Sequence, residues 1–407
     1  MRKAFCITWI IIPCYMANLL AAEKVFMGEN LKGNGYSIAV KDEGSILVDS
    51  KVDGRINLKR VMELGGQNLL YVCNPNLNYL PYFIVPEPGG PGGDHAWNHN
   101  IGRWLDAMLR LEDAIGFEIP AEQEKSMVEN LRKFCENPDN LPFGPRDNWL
   151  GIQPDCYVHS FREYILAVNS LVRYRNSKWA AELGHKMLES IEHATNPDGT
   201  LALKNLDTYV NYYKPASPDI ICPDGTDDAA PHGVTDRAIE ALVWYYQATG
   251  DPLALKLADR FARYHLKNST NPDGSLNVTS RLPHPIGHTH SYLGGLRGLF
   301  LFGQLTRQHE FMDAVKSTYE VTVKSFVRES GYACHDLGTV PETVTNIPES
   351  SSPGDAAQLA LWLGLQTGHI EYLDDAERWV RAKIIPSQCP AQYARDAEGN
   401  LDLRLLG

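Results

Sequence analysis

One pattern constrains this chain more than any other. Five times, roughly every 60–70 residues, an irregular and often histidine-bearing segment opens into an apolar helix. The openings fall at 99–104, 159–164, 232–237, 290–295 and 352–357. A second, more amphipathic helix follows most of them. Three units then end in nearly the same turn, Asn137-Pro138-Asp139-Asn140, Asn196-Pro197-Asp198-Gly199 and Asn271-Pro272-Asp273-Gly274. Neither helix of such a hairpin can cover its apolar surface alone, so neighbouring hairpins must stack. An arc or a ring results, with one helix of each pair inside. The starts of the inner helices then surround a common mouth.

The third unit shows the helical period most clearly. Ala238, Leu242 and Tyr245 recur at helical spacing, as do Ile239, Val243 and Tyr246. A helix apolar on more than one face is buried on two sides. Its partner, from Pro252 to Leu266, alternates polar and apolar stripes and is expected on the outside. Between them, Gly250 ends one helix and Pro252 suits the first turn of the next. Thr367-Gly368-His369 repeats that break in the last unit. The helices opening near 100, 160, 233, 291 and 353 are expected to be the more buried of each pair.

The expected fold is all-α: an (α/α)6-type toroid over 94–407, complete or lacking its closing helices, since only five hairpins are visible. Residues 23–93 read as a short irregular or β-structured extension. Tyr36–Val40 and Ser45–Val48 look like strands, and Leu58–Leu64 like a short helix. The Pro- and Gly-rich run 86–93 reads as a loop entering the repeat region.

Residues 1–22 read as an export signal. Met1-Arg2-Lys3 is a basic start, the following stretch to Leu20 is largely apolar, and Ala21-Ala22 offers a small-residue cleavage point. A membrane anchor is the competing reading, against which Pro13 and the short apolar length argue. An exported protein is the expectation. Six cysteines remain after the signal: Cys73, Cys135, Cys156, Cys222, Cys334 and Cys389. Their spacing dictates neither a pairing nor a zinc site, and buried free thiols are the simpler reading. The formal net charge of −12, without a long basic run, argues against nucleic acid and anionic membranes as partners. Local Arg and His can still dominate one pocket. The oligomeric state stays open.

The residues resemble the (α/α)6-toroid carbohydrate-active enzymes, in particular the superfamily holding β-L-arabinofuranosidases and exo-acting uronidases. The resemblance covers most of 80–390. It rests on the hairpin repeat, on Leu80-Pro81-Tyr82-Phe83 followed by His95-Ala96-Trp97, and on Asp374-Asp375-Ala376-Glu377-Arg378-Trp379. It implies a carbohydrate substrate. The arabinofuranosidases resemble one another in a zinc site of one Glu and three Cys with adjacent cysteines. Here no two cysteines are adjacent, so no metal ligand is carried over and no cofactor is implied.

Aligning the helix starts on their histidines yields the candidate chemistry. Arg103, Glu163 and Asp236 each lie four residues after a histidine, His99, His159 and His232. Glu163 and Asp236 are the expected catalytic pair, facing one cavity across the width of a glycosidic bond, one of them with a raised pKa. The competing reading of Asp236 is a helix-capping acid. Arg103, His159, His232, His288, His290, His335 and Asp336 are candidate substrate-binding groups, and Trp97 and Tyr292 candidate rings for sugar stacking. The Asp224, Asp227 and Asp228 run before the third helix reads as a substrate loop or a capped turn.

The leading expectation is an exported glycoside hydrolase acting on a polysaccharide or oligosaccharide, uronate-containing ones included. Three alternatives stay open: a polysaccharide lyase with a Tyr or His base, a sugar epimerase, and a non-catalytic glycan-binding repeat.

Overall fold

The structure, a computed structural model, describes residues 57–82, 97–144, 160–208, 236–277, 289–333 and 351–388. The export signal expected at 1–22, the strands expected at 36–48 and the Pro/Gly-rich run lie outside these residues.

An isolated helix, α1 (Leu58–Tyr71), comes first. Five hairpins follow: α2 (Trp97–Ile115) with α3 (Ala121–Phe134), α4 (Phe161–Arg175) with α5 (Lys178–His193), α6 (Ala238–Thr249) with α7 (Pro252–Asn268), α8 (Thr289–Thr306) with α9 (His309–Thr318), and α10 (Ser352–Thr367) with α11 (Ile370–Trp379). One two-stranded antiparallel ribbon, Cys73–Asn74 with Leu80–Pro81, is the only sheet among the described residues.

The even-numbered helices α2 to α10 stand side by side in chain order as the inner layer. They are the more buried members, as their apolar faces require. The outer helices carry the amphipathic pattern, as in α7, where Ala254, Leu257, Ala258 and Phe261 point inward. Gly250 and Gly368 end α6 and α10 in the left-handed conformation, at φ 75° and 77°. That conformation is cheap only for glycine.

Residues 57–82 are part of the ring wall. Trp104 Nε1 donates to the Leu69 carbonyl at 2.8 Å, and Gln123 Nε2 to that of Leu70 at 2.9 Å. On the other side Gln388, beyond α11, donates to the Val61 carbonyl at 3.0 Å. Thus α1 spans the gap between the first and last hairpins. Its 14 residues exceed the short helix expected there.

The Asn-Pro-Asp turns recur as expected, with a fourth copy that shares only the closing glycine with the 196–199 and 271–274 turns. The Asn196 and Asn271 turns place Gly199 and Gly274 at φ 96° and 86° and are closed by antiparallel bridges, Thr195 to Leu201 and Thr270 to Leu276. Arg328-Glu329-Ser330-Gly331 makes the same turn, bridged by Val327 and Ala333. The three glycine-closed turns dock on the outer helical segment of the next unit: Gly199 against Tyr264, Gly274 against Ser317, Gly331 against Lys383.

Candidate functional site

The inner helices meet around a ring of charges. Glu163 Oε1 accepts from three guanidinium groups: Arg237 at 2.7 Å, Arg162 at 3.2 Å and Arg103 at 3.3 Å. The other arm of Arg162 reaches Glu240 Oε2 at 3.1 Å. Arg297 Nη2 donates to that same oxygen at 2.9 Å, and its Nη1 to Asp355 Oδ1. Asp355 Oδ2 pairs with His290 Nδ1. His290 Nε2 lies 3.3 Å from Arg237 Nη2, which closes the circuit. Five helices contribute: α2, α4, α6, α8 and α10, with Arg237 in the turn just before α6.

Close backbone approach makes the ring possible. A Cβ on Gly102 would collide with the Glu163 carbonyl oxygen, so only glycine lets α2 come this near α4. A Cβ on Gly298 would come within 2.6 Å of Ile239 Cβ, so α8 seats on α6 in the same way.

Among the described residues, four guanidinium groups face three carboxylates, Glu163, Glu240 and Asp355, so that with His290 neutral these seven groups sum to one positive charge. Burial pushes the His290 imidazole down to about 4; Asp355 opposes this, while Arg237 and Arg103 reinforce it. Burial alone would raise Asp355, but Arg297 and His290 outweigh it and hold the carboxyl well below the usual range. At neutral pH this describes one tautomer. Nδ1–H donates to Asp355, and Nε2 accepts from Arg237. Most of the ring is sealed. Its accessible members are Arg103, with a side chain 36% exposed, and His290 and Asp355 at 11% and 10%.

Two helical turns further along these helices the centre is filled. Arg110, seven residues beyond Arg103, lies 4.4 Å over the Trp244 ring and pairs with Asp106 at 2.7 Å. Trp244 meets Trp362 edge-on at 6.5 Å, and Phe300 stacks on Trp362 at 5.8 Å. Seven residues of helix is about 10 Å. At about that distance from the ionic ring, Arg110, Trp244, Phe300 and Trp362 pack against one another between the inner helices.

The sequence-derived candidates divide three ways. Arg103 and Glu163 come together as expected, and His290 joins them. The two expected catalytic carboxylates do not face one cavity. Asp236 turns outward to α7, where Oδ2 meets His265 Nδ1 at 2.8 Å and Ser269 Oγ at 3.1 Å. Burial raises its pKa, and His265 and Ser269 pull against that rise. Tyr292 also lies in this wall, fully buried and stacked on His265 at 5.6 Å. It offers its face to a protein ring instead of to a sugar. Trp97 opens α2, but its side chain lies outside the described residues, as do His159, His232, His288, His335 and Asp336. Cys73 and Cys135 are buried free thiols; the other four cysteines lie outside the described residues.

Glu240, Arg162, Arg297 and Asp355 were not among those candidates. Each is a single charge or charged pair set in an apolar helix, as in Leu296-Arg297-Gly298-Leu299. That setting is itself a signal, because a charge is rarely buried unless it is paired.

Among the described residues, no group of three or more His, Cys, Asp or Glu is placed to hold a metal ion. No helix there is long and apolar enough to cross a membrane. A separate surface cleft of about 650 Å³ lies between α3 and α5, lined by Arg132, Trp179, Glu182 and Lys186 among others, and it shares no residue with the ring.

No protein-family model matches the sequence. No curated protein matches it either. Solved structures do. An unsaturated glucuronyl hydrolase from Bacillus sp. GL1 superposes with a TM-score of 0.57 at 15% identity, over 79% of this chain and 82% of that one. A heparin-specific unsaturated glucuronyl hydrolase gives 0.54 at 12%, over 79% and 82%. A D-mannose isomerase gives 0.56 at 14%, over 80% and 84%. The fold is all-α, an (α/α)6-type toroid like theirs. At these identities the likeness is one of architecture, on which both hydrolysis and isomerisation are built.

Proposed function

We propose that this protein is a carbohydrate-active enzyme that cleaves a uronate-containing glycan, with the ionic ring as its sugar-acid site. The observation that carries the reading is the Arg103 guanidinium, partly open at the edge of a ring in which, among the described residues, arginines outnumber carboxylates. A sugar carboxylate would take a planar, two-pronged hydrogen bond from such a guanidinium.

Hydrolysis of a glycosidic bond is the first reading, supported by the hydrolases that share the fold. His290 is the proton-transfer group. Asp355 holds its Nδ1–H; once a sugar carboxylate draws the Arg237 guanidinium onto itself, Nε2 is released to take a proton from the attacking water. As the new C–O bond forms and the glycosidic C–O bond breaks, that proton passes to the departing sugar oxygen. Glu163 is the anion that gathers three arginines. Asp236 supports the wall. The export signal agrees with a polymer met outside the cell.

A second reading, β-elimination, is favoured by the contact of His290 with Arg237. As Arg237 moves onto the sugar carboxylate, the freed neutral imidazole would remove the proton next to it, and the guanidinium would stabilise the charge that develops. The β C–O bond to the leaving sugar would break, and the imidazolium would return the proton to the departing oxygen.

One screen tests both. The purified protein is incubated with a panel of uronate-containing and neutral glycans. New reducing ends on uronate glycans, with no ultraviolet-absorbing product, are expected for hydrolysis; an absorbing unsaturated uronide marks elimination. Cleavage confined to neutral glycans, or none on any glycan, would overturn the proposal.

A further inference from the structure

The outward-facing Asp236 is the first link of a buried chain that joins the turn before α6 to α7 and α8. Asp236 Oδ2 meets His265 Nδ1 at 2.8 Å and Ser269 Oγ at 3.1 Å. His265 Nε2 meets Thr270 Oγ1 at 3.1 Å, and Thr270 Oγ1 meets Tyr292 Oη at 2.9 Å. Asp236, His265, Ser269 and Tyr292 are completely enclosed. One set of proton positions satisfies the chain. Tyr292 donates to Thr270, Thr270 donates to His265 Nε2, and His265 Nδ1–H donates to Asp236. Gly295 makes room for the pair, since a Cβ there would come within 3.1 Å of Asp236 Cβ and 3.3 Å of His265 Nδ1.

This chain bears on the site through one peptide bond. Arg237, next to Asp236, touches both Glu163 and His290. Arg237 also stands at the N-terminal end of α6, where no side chain caps the helix. The anchor for this turn lies instead on α7, through Asp236.

We infer that His265 is a positioning residue: by holding Asp236, it sets the Arg237 guanidinium against Glu163 and His290. It touches no substrate. The inference rests on the ionic ring being the working site, but its test needs no substrate.

The readout is the titration of the His290 imidazole in the full-length protein, followed by NMR. The groups facing His290 are Arg103 from α2, Arg237 before α6 and Asp355 from α10, with Glu163 of α4 behind Arg237. His265→Leu removes the donor to Asp236. Arg237 should then withdraw and leave Asp355 dominant, raising His290 proton affinity about tenfold. His265→Asn, whose amide nitrogen can take the place of Nδ1, should restore the wild-type midpoint. Ser269→Ala removes the second donor and gives a smaller upward shift, which covers the case of a Leu variant that fails to fold. An unmoved His290 midpoint in the folded Leu variant, or in Ser269→Ala when the Leu variant does not fold, overturns the inference. Absence of any glycan-cleaving activity would sink the functional proposal and leave the titration result standing.

Discussion

His290 Nε2 meets Arg237 Nη2 at 3.3 Å, while its Nδ1 is held by Asp355. A cation on one side and a carboxylate on the other hold the imidazole in a single tautomer. A sequence offers no direct view of this contact, because 53 residues separate the partners.

Acidification should destabilise the fold through this histidine. Its folded pKa, about 4, lies below the ordinary value of 6.5. The unfolded chain therefore takes up the proton first as pH falls. The contribution is fully present above pH 6.5 and is lost between there and about 4. The ceiling is about 3 kcal/mol for a shift of this size. Asp355, held low, adds to the loss at still lower pH. Urea unfolding at pH 7.5, 5.5 and 4.5 measures it, and His290→Gln should flatten the dependence. An equal slope in both proteins would contradict this account.

Glu163→Gln should lower the melting temperature markedly. The substitution leaves three arginines around an uncharged amide in a sealed site. Breaking a buried ion pair by removing one partner costs about 3–5 kcal/mol. Calorimetry would read the loss; an unchanged melting temperature would mean that water or a neighbouring acid replaces the carboxylate.

Arg103→Gln should separate binding from folding. This side chain is the most open member of the ring, so its loss costs less than about 1 kcal/mol of stability. KM for a uronate glycan should rise at least about tenfold, the scale of one charge-assisted pair. An unaltered KM would remove Arg103 from the sugar-acid site.

Gly102→Ala tests the close approach of α2 and α4. The added methyl meets backbone, the Glu163 carbonyl, which cannot swing aside. Overpacking of this kind costs about 1–3 kcal/mol or more. Thermal denaturation should show it, and the shift should exceed that of Gly354→Ala, where the nearest atom is 4.0 Å away.

The helical hairpin array was legible in the chain, because apolar spacing and turn residues are local signals. Ala238, Leu242 and Tyr245 mark a two-sided buried helix, and Gly250 and Gly368 mark the ends of inner helices. Helix register was not equally legible. Asp236 lies four residues after a histidine, as Glu163 does, but α4 starts at Phe161 and α6 only at Ala238. Glu163 is therefore inside its helix and faces the centre, whereas Asp236 sits in the turn before one and faces α7. Arg237, the next residue, takes the inward place. The fourth docking turn, at 328–331, stayed hidden because backbone geometry and a single glycine suffice to make it. The ring itself belongs to the tertiary structure alone. Arg162, Glu240, Arg297 and Asp355 read in sequence as stray charges in apolar helices. Only the packing of α4, α6, α8 and α10 brings them within hydrogen-bonding distance, and only that distance makes their burial tolerable.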